Sequence, residues 1–409
     1  MNYPRFSFLR QVYPDNLPLS VEESLKAELD RTKLFEAIKP GQSVVLTAGS
    51  RGIDSMKDVL AILVEAVKAR GGRPMVVPAM GSHGGGTGPG QVAVLDHLGI
   101  RPETVGAPVY DGWEMIEVGQ AVAALGQAPV YADKAVVEAD HVILINRIKE
   151  HTEYIGPTES GLLKMAVIGL GRQPGAESTH RLAINITYYK AIHTIARILF
   201  DKLNILGGVA LIEDQRNQLR RLELVPTESI FDREPELLED SKLTKPKLPF
   251  DELDLLIIDK IGKEISGTGA DTKVVGRIMN IYEEELTKPA ITRIIIRDLT
   301  DDTSGNAIGV GLADLVTKRL ADKIDPEVTI LNSITGGSPE KGRLPMVLPN
   351  DRETLEMALR TVGLWTPKTL KALWIKDTKS LEWLAATPAL LEKAGGRDDL
   401  DVVGQPFDL

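Results

Sequence analysis

The chain has 409 residues, a formal net charge of −10 and no cysteine. At about 100–200 residues per domain, this length predicts two or three domains. The negative charge argues against nucleic acid and anionic lipid as partners, and the lack of cysteine excludes disulfides and thiolate metal sites. We see no secretory signal segment and no run of the ~18 apolar residues that a membrane span needs, so we expect a cytoplasmic protein.

Strands and helices alternate through the first half of the chain. Short valine-rich runs that end near glycine are typical of buried parallel strands, and amphipathic helices between them make βαβ units. The predicted strands are residues 43–48, 74–78, 141–146 and 207–212, and the predicted helices are residues 21–38, 56–70, 92–98, 162–170 and 184–203.

A charged, proline-containing stretch, residues 226–249, predicts a surface connection between domains. A second alternation follows it, with predicted strands at 253–258, 291–296 and 328–331, a helix at 307–320, and mostly helix over 351–395.

The fold class is therefore α/β, with two lobes of mainly parallel sheet. We assign residues 1–240 to an N-terminal domain and residues 241–409 to a C-terminal domain. In such folds, ligands bind beyond the carboxyl ends of strands or in a crevice between lobes, so we expect the active-site cleft there.

Several common motifs are missing. The glycine-rich loops do not fit G-x-G-x-x-G, and G-x-x-x-x-G-K-[ST], H-E-x-x-H and G-x-S-x-G are absent. These absences argue against ordinary NAD, ATP, zinc-protease and serine-hydrolase chemistry, but they leave rarer cofactors open.

Three of the six histidines, His83, His151 and His180, lie in glycine-rich or polar surroundings. A lone histidine in a loop is often a surface residue, and His180 is equally consistent with the start of a helix. His83, however, has glycine neighbours that let the backbone approach a ligand, and an imidazole exchanges protons near neutral pH. The other three histidines, at positions 97, 141 and 193, are interpreted as structural.

Lys164 is a single charge inside an apolar run, residues 160–169. Such a lysine either reaches along a helix to solvent or is desolvated and able to form a covalent bond. The pattern alone leaves both interpretations open.

The residues Gly81-Ser-His83-Gly, His151, Gly161-Leu-Leu-Lys164 and Glu177-Ser-Thr-His180 resemble the nickel-dependent lactate racemase family. The similarity extends over most of the chain and is strongest over 45–185. Its most specific feature is the sixteen-residue spacing between Lys164 and His180, with one histidine upstream in each of two loops.

The resemblance implies a cofactor, pyridinium-3,5-bisthiocarboxylic acid mononucleotide, which holds nickel through one carbon and two sulfurs. Lys164 would be its thioamide attachment and His180 a nickel ligand. His83 and His151 would exchange the hydroxyl proton of a 2-hydroxy acid while hydride leaves and returns at C2. Residues 1–240 would hold this cofactor, and enzymes of cofactor biosynthesis would be partners.

Binding of the anionic groups is also implied. Arg51 matches the family's first-loop arginine and would bind the substrate carboxylate, together with Lys260 or, preferably, Lys263. We expect the nucleotide phosphate on backbone N–H groups of the Gly49-Ser50 loop or the loop from Gly84 to Gly86.

The sequence also departs from the family. Ala48 replaces an acidic residue, Gly52 replaces a proline, and the stretch between His151 and Lys164 is longer than in lactate racemases. Polar residues in this longer stretch (152–154 and 158–160) favour a larger 2-hydroxy acid, such as a sugar acid. Two alternatives to a racemase or epimerase are a non-catalytic carrier of cofactor or hydroxy acid, and a 2-hydroxyacid oxidoreductase.

Overall fold

The computed structural model describes residues 3–14, 19–50, 52–124 and 126–407. The chain forms two compact units. The central unit is Asn16–Lys245, and the discontinuous unit combines Met1–Asp15 with Pro246–Leu409. In the described part of the chain, no helix is long and apolar enough to cross a membrane.

The strands of the described residues are β1 (Phe6–Gln11), β2 (Ser43–Ala48), β3 (Arg73–Pro78), β4 (Met115–Ala123), β5 (Gly126–Asp133), β6 (His141–Arg147), β7 (Ile205–Glu213), β8 (Leu219–Pro226), β9 (Glu252–Ile261), β10 (Ala290–Leu299), β11 (Leu315–Thr317), β12 (Met346–Leu348), β13 (Ala372–Ile375), β14 (Trp383–Ala386) and β15 (Leu400–Phe407).

The α-helices are α1 (Val21–Thr32), α2 (Met56–Ala69), α3 (Gly88–His97), α4 (Pro102–Val105), α5 (Lys134–Val137), α6 (Leu162–Lys164), α7 (Leu170–Ile186), α8 (Tyr188–Lys202), α9 (Ile230–Leu243), α10 (Thr272–Val275), α11 (Lys318–Ala321), α12 (Pro326–Thr335), α13 (Asp351–Leu359) and α14 (Pro388–Ala394). A π-helical turn, Met165–Gly169, joins α6 to α7.

The central unit contains a sheet with the strand order β3-β2-β6-β7-β8. The first four strands are parallel and β8 is antiparallel to β7. Its core packs buried residues of β2, such as Leu46, against the buried face of α2, which includes Leu60 and Leu63. Strands β4 and β5 form a separate hairpin. Because parallel strands end at one edge of a sheet, the loops after β2, β3 and β6 leave that edge side by side.

The discontinuous unit contains a sheet with the order β12-β11-β10-β9-β13-β14-β1-β15. Strands β9 to β13 are parallel, whereas β14, β1 and β15 pair antiparallel. Alternate residues of β9 face two different cores, with Leu256 and Ile258 on one face and Leu255 and Ile257 on the other. The predicted α/β class with mainly parallel sheets is confirmed.

The compact units have different limits from the predicted domains of residues 1–240 and 241–409. The physical reason is β1, which pairs with β14 and β15 and therefore belongs to the sheet of the C-terminal residues. The stretch 226–249, predicted as a surface connection, contains α9, whose Leu237 and Leu238 are fully buried.

Three predictions for the second half of the chain are wrong. Residues 307–320 are not one helix but a 3-10 turn, strand β11 and the start of α11. Residues 328–331 lie in α12 rather than in a strand, because Asp325 caps that helix and Pro326 occupies its first turn. Residues 351–395 contain helices α13 and α14, but also strands β13 and β14.

Candidate active site

The loop after β3 holds His83 in a tightly turned backbone. Glycines 81, 84, 85 and 86 all have positive φ, where a Cβ atom is unfavourable. The buried Gln91 fixes the turn, since its Nε2 donates to the carbonyl oxygens of Gly81 (2.8 Å) and His83 (3.2 Å). The His83 side chain is half-buried. The loop therefore presents His83 from a backbone whose conformation is set by hydrogen bonds.

The loop after β6 is closed at its base by a backbone pair between Lys149 and Ser160. Inside the loop, the Glu159 carboxylate accepts the N–H groups of His151 (2.6 Å) and Gly156 (3.4 Å). The Tyr154 hydroxyl donates to the Glu159 carbonyl oxygen at 2.7 Å. Glu159 is 2% exposed, so this carboxylate acts as an internal anchor for the loop.

The internal anchor involves polar residues that we predicted to contact the substrate. Thr152, Tyr154, Thr158 and Glu159 are buried. Thr158 shares a 2.8 Å hydrogen bond with His193 of α8. Tyr154, Thr158 and Glu159 take part in these internal hydrogen bonds. That the loop contacts a polyhydroxylated substrate stays a prediction.

His151 is held by its ring as well as by its backbone. Its Nδ1 accepts the N–H of Glu153 at 3.1 Å, so we assign the proton of the neutral ring to Nε2. The ring packs on Tyr154, with centroids 4.8 Å apart, and Tyr154 stacks on Tyr188 at 5.4 Å and 18°. His151 thereby presents a hydrogen-bond donor from a fixed orientation.

His180 contacts the same tyrosine. Its ring meets Tyr188 edge-on, with centroids 5.6 Å apart and planes at 76°, while the centroid of His151 lies 6.2 Å from that of Tyr188. Tyr188 is 3% exposed and both histidines are half-buried. His180 lies inside α7 rather than in a loop. Tyr188 therefore connects two of the histidines singled out in the sequence.

Lys164 ends the short helix α6, between the buried residues Leu163 and Met165. Two side chains from other elements fix the start of this helix. Asn146 at the end of β6 donates to the Gly161 carbonyl oxygen at 2.7 Å, and Glu234 of α9 accepts the N–H of Leu163 at 3.0 Å. Lys164 itself is half-buried, which fits an amine presented from apolar surroundings.

The loops also pack against the segment that follows Lys164. A Cβ atom built on Gly49 would lie 3.5 Å from Cε of Met165, and one built on Gly81 would lie 3.1 Å from Cγ2 of Ile168. The structure therefore brings the Gly49-Ser50 loop and the His83 loop onto the helical segment that carries Lys164.

Three further residues were predicted to bind the substrate carboxylate. Arg51 is outside the described residues. Lys260 is exposed on β9, and the Lys263 amine donates to the Gly267 carbonyl oxygen and to Asn332 Oδ1, both at 2.9 Å. That these lysines bind the substrate carboxylate stays a prediction.

The sequence did not point to Tyr188 or Glu234, and it singled out Tyr154 and Glu159 only as polar residues of the longer loop. Glu234 is 1% exposed, and burial raises its pKa to about 7 although backbone N–H groups of Leu163 and Leu162 oppose the shift. Tyr188 could have been noticed as an aromatic residue close in sequence to His180 in a chain with 5% aromatics.

The donor set fits a metal held mainly by a cofactor. Among the described residues, no three His, Asp or Glu side chains are grouped as a metal site. A metal ion on His180 would need further donor atoms from a bound group. The amine of Lys164, which precedes α7 along the chain, would offer that group a covalent attachment.

Comparison with known proteins supports the fold. No protein-family model matches the chain, and no curated protein matches its sequence. Among solved structures, the chain is similar to the lactate racemase apoprotein from Thermoanaerobacterium thermosaccharolyticum, with a TM-score of 0.50 and 14% sequence identity. The alignment covers 91% of this chain and 89% of that protein. At this identity, the similarity establishes a shared α/β fold.

Proposed function

We propose that the chain is an isomerase that inverts C2 of a 2-hydroxy acid, using a nickel-pincer nucleotide joined to Lys164 and ligated by His180. The observation that carries the proposal is the pair of contacts from His151 and His180 to the buried ring of Tyr188. The fold supports it, because the similar solved structure is described as a lactate racemase.

Each residue has a task that suits its surroundings. The Lys164 amine, flanked by buried apolar residues, forms the covalent attachment, and the His180 imidazole completes the metal site. Backbone N–H groups of the Gly49-Ser50 loop or of the Gly84 turn bind the phosphate. When bound, the cofactor supplies the hydride acceptor and donor that the amino acid side chains lack.

His83 and His151 handle the proton on the substrate oxygen. One imidazole removes the hydroxyl proton of one enantiomer as C2 is oxidised to a keto group. The other imidazole, which must begin the turnover protonated, gives its proton to the substrate oxygen when the opposite configuration forms at C2. His151 can take a proton at Nε2 only after its Nδ1 bond to Glu153 N–H rearranges.

The test uses full-length protein co-expressed with the enzymes that make the cofactor. We expect nickel in the purified protein, added mass on the Lys164 peptide, and inversion of at least one acid from a panel of lactate, substituted 2-hydroxy acids and sugar acids. In D2O, the product should keep the hydrogen of C2, because hydride transfer does not exchange it with solvent. A Lys164 peptide without added mass in such a preparation contradicts the proposal.

Histidine variants separate catalysis from cofactor binding. His83→Asn and His151→Asn should each lower the inversion rate about 100-fold or more while the mass on Lys164 persists. His97→Asn, at an exposed position on α3, is the matched control and should keep the parent rate. Cofactor retention without inversion of any acid would indicate a carrier, and release of free 2-keto acid would indicate an oxidoreductase.

A further inference from the structure

Lys164 and His180 belong to one helical segment, yet a straight helix would hold them far apart. Sixteen residues of α-helix span about 24 Å. The segment instead has a kink at Arg172. A Cβ atom built on Gly175 would lie 3.5 Å from the carbonyl oxygen of Val167. A straight α-helix, in contrast, rises about 12 Å along its axis over eight residues. The position of His180 relative to Lys164 therefore depends on the corner between the two halves of the segment.

The corner is at Arg172, which has φ 47° and ψ −146° inside α7. This conformation is unfavourable for a residue with a side chain, and it persists only where the surroundings impose it. Pro174 lies two residues after Arg172 and favours the restart of the helix, because proline is favoured in a first turn. An arginine, rather than the glycine that such a backbone favours, occupies this corner.

The side chain of Arg172 explains how the corner is held. It is fully buried, and its Nε lies 3.1 Å from Oδ2 of Asp133, which is also fully buried. Its Nη1 donates to the Gly112 carbonyl oxygen at 2.8 Å. The guanidinium lies over the rings of Trp113 and Tyr110, at 4.8 and 5.6 Å from their centroids.

Asp133 is itself fixed. It ends β5, and its Oδ1 accepts the N–H of Ala135 at 2.9 Å, which caps α5. The hairpin also contacts the second half of the segment, since Ser178 donates to the Pro129 carbonyl oxygen at 2.6 Å. Burial raises the pKa of Asp133 and lowers that of Arg172, as expected for charges held away from water.

We infer that the Arg172–Asp133 pair is a positioning device that fixes the corner, and with it the separation between Lys164 and His180. That this separation serves cofactor binding rests on the proposed function. The separation itself can be measured without cofactor. Packing alone does not account for the pair, because an apolar pair of similar volume often stabilises a core equally well.

The experiment uses the absence of cysteine from the chain. In the full-length protein, Lys164→Cys and His180→Cys place the only two thiols at the positions in question. Bifunctional thiol reagents of graded span then report their separation, as the yield of the cross-linked peptide pair by mass spectrometry. The same pair is examined with Arg172→Met, Arg172→Lys and Asp133→Asn, and with Arg220→Lys as control. Arg220 forms a partly buried ion pair with Asp240 in the same unit.

With the shortest reagent that joins the two thiols in the parent, we expect the yield to fall at least ten-fold in Arg172→Met and Asp133→Asn. Arg172→Lys keeps the charge but not the planar group, so its yield should lie between those of the parent and Arg172→Met. Arg220→Lys should keep the parent yield. Cross-linking yields are compared at temperatures where circular dichroism shows the same folded fraction for each variant. If Arg172→Met does not fold, the yield of Asp133→Asn tests the inference.

Unchanged cross-linking in folded Arg172 and Asp133 variants would overturn the inference, because a merely stabilising pair would change the melting temperature alone. The result is independent of the proposed function. An unmodified Lys164 in the cofactor-loaded parent would defeat the proposed function and leave the cross-linking result in place.

Discussion

Glu234 shows how one carboxyl group connects a distant helix to the candidate active site. Its Oε2 accepts the N–H of Leu163, while its Oε1 has no hydrogen-bond partner among the described residues. A half-satisfied carboxylate in a fully buried position is costly when ionised, which is why its pKa rises from 4.5 to about 7.

This pKa predicts how stability depends on pH. Between pH 4.5 and 7 the folded state holds the Glu234 proton and the unfolded state does not, so stability falls as the pH rises and the full cost is present above pH 7. Relative to Glu234→Gln, the free energy of unfolding of the parent should fall by about 2–3 kcal/mol from pH 5 to pH 8. Urea denaturation at four pH values measures the difference.

The control for this prediction is Glu138→Gln, which changes an exposed glutamate of the same unit. That variant should follow the parent at every pH. If the difference between the parent and Glu234→Gln is constant from pH 5 to pH 8, Glu234 does not titrate in this range and our account of its burial is wrong.

The residue types explain why part of the candidate active site could be predicted from the sequence. Histidine and lysine are conspicuous wherever they stand out from apolar or glycine-rich neighbours, as Lys164 and His83 do. Glu234 is separated by 71 residues from the helix it caps, in a stretch whose many charges are typical of a solvated surface. No local pattern distinguishes this buried glutamate from its exposed neighbours.

At the scale of elements, the loop between Lys149 and Ser160 depends on one buried acceptor. In Glu159→Gln, one carboxylate oxygen is replaced by an NH2 group. The backbone N–H of either His151 or Gly156 then faces a hydrogen-bond donor instead of an acceptor. A buried donor left without its acceptor costs about 1–3 kcal/mol. We therefore expect amide hydrogen exchange over residues 150–158 to accelerate about 10- to 100-fold.

Hydrogen exchange followed by mass spectrometry measures this locally. Exchange in β6, which precedes the loop, should stay slow in Glu159→Gln, and Glu138→Gln should leave both regions as in the parent. Equal rates over residues 150–158 in the parent and Glu159→Gln would mean that the carboxylate does not hold the loop.

The elements that the sequence predicted well share one property. Strands β2, β6 and β9 are buried runs of aliphatic residues, so burial and sequence pattern agree. Helix α12 reverses the usual pattern: Thr329 and Ser333 are buried, while Ile330, Leu331 and Ile334 are exposed. Its apolar run therefore resembled a buried strand.

At the scale of the whole molecule, the described N-terminal strand belongs with residues that lie more than 350 positions further along the chain. Phe6 is fully buried in a core with Leu255, Ile257 and Ala372, and β1 is hydrogen-bonded between β14 and β15. No local pattern predicts such a pairing, because the order of strands in a sheet is set by packing between distant segments.

This arrangement predicts that single substitutions loosen one unit at a time. Phe6→Ala leaves a cavity in the discontinuous unit and should cost about 3–5 kcal/mol, whereas Phe8→Ala, at a side chain that is 47% exposed on the same strand, should cost much less. Hydrogen exchange in Phe6→Ala should accelerate in β9, β13 and β14 and stay unchanged in β2, β6 and β7. Leu25→Ala, in the core of the central unit, should give the reverse pattern. If Phe6→Ala accelerates exchange equally in the strands of both sheets, the two units unfold as one and the cores are not energetically separate.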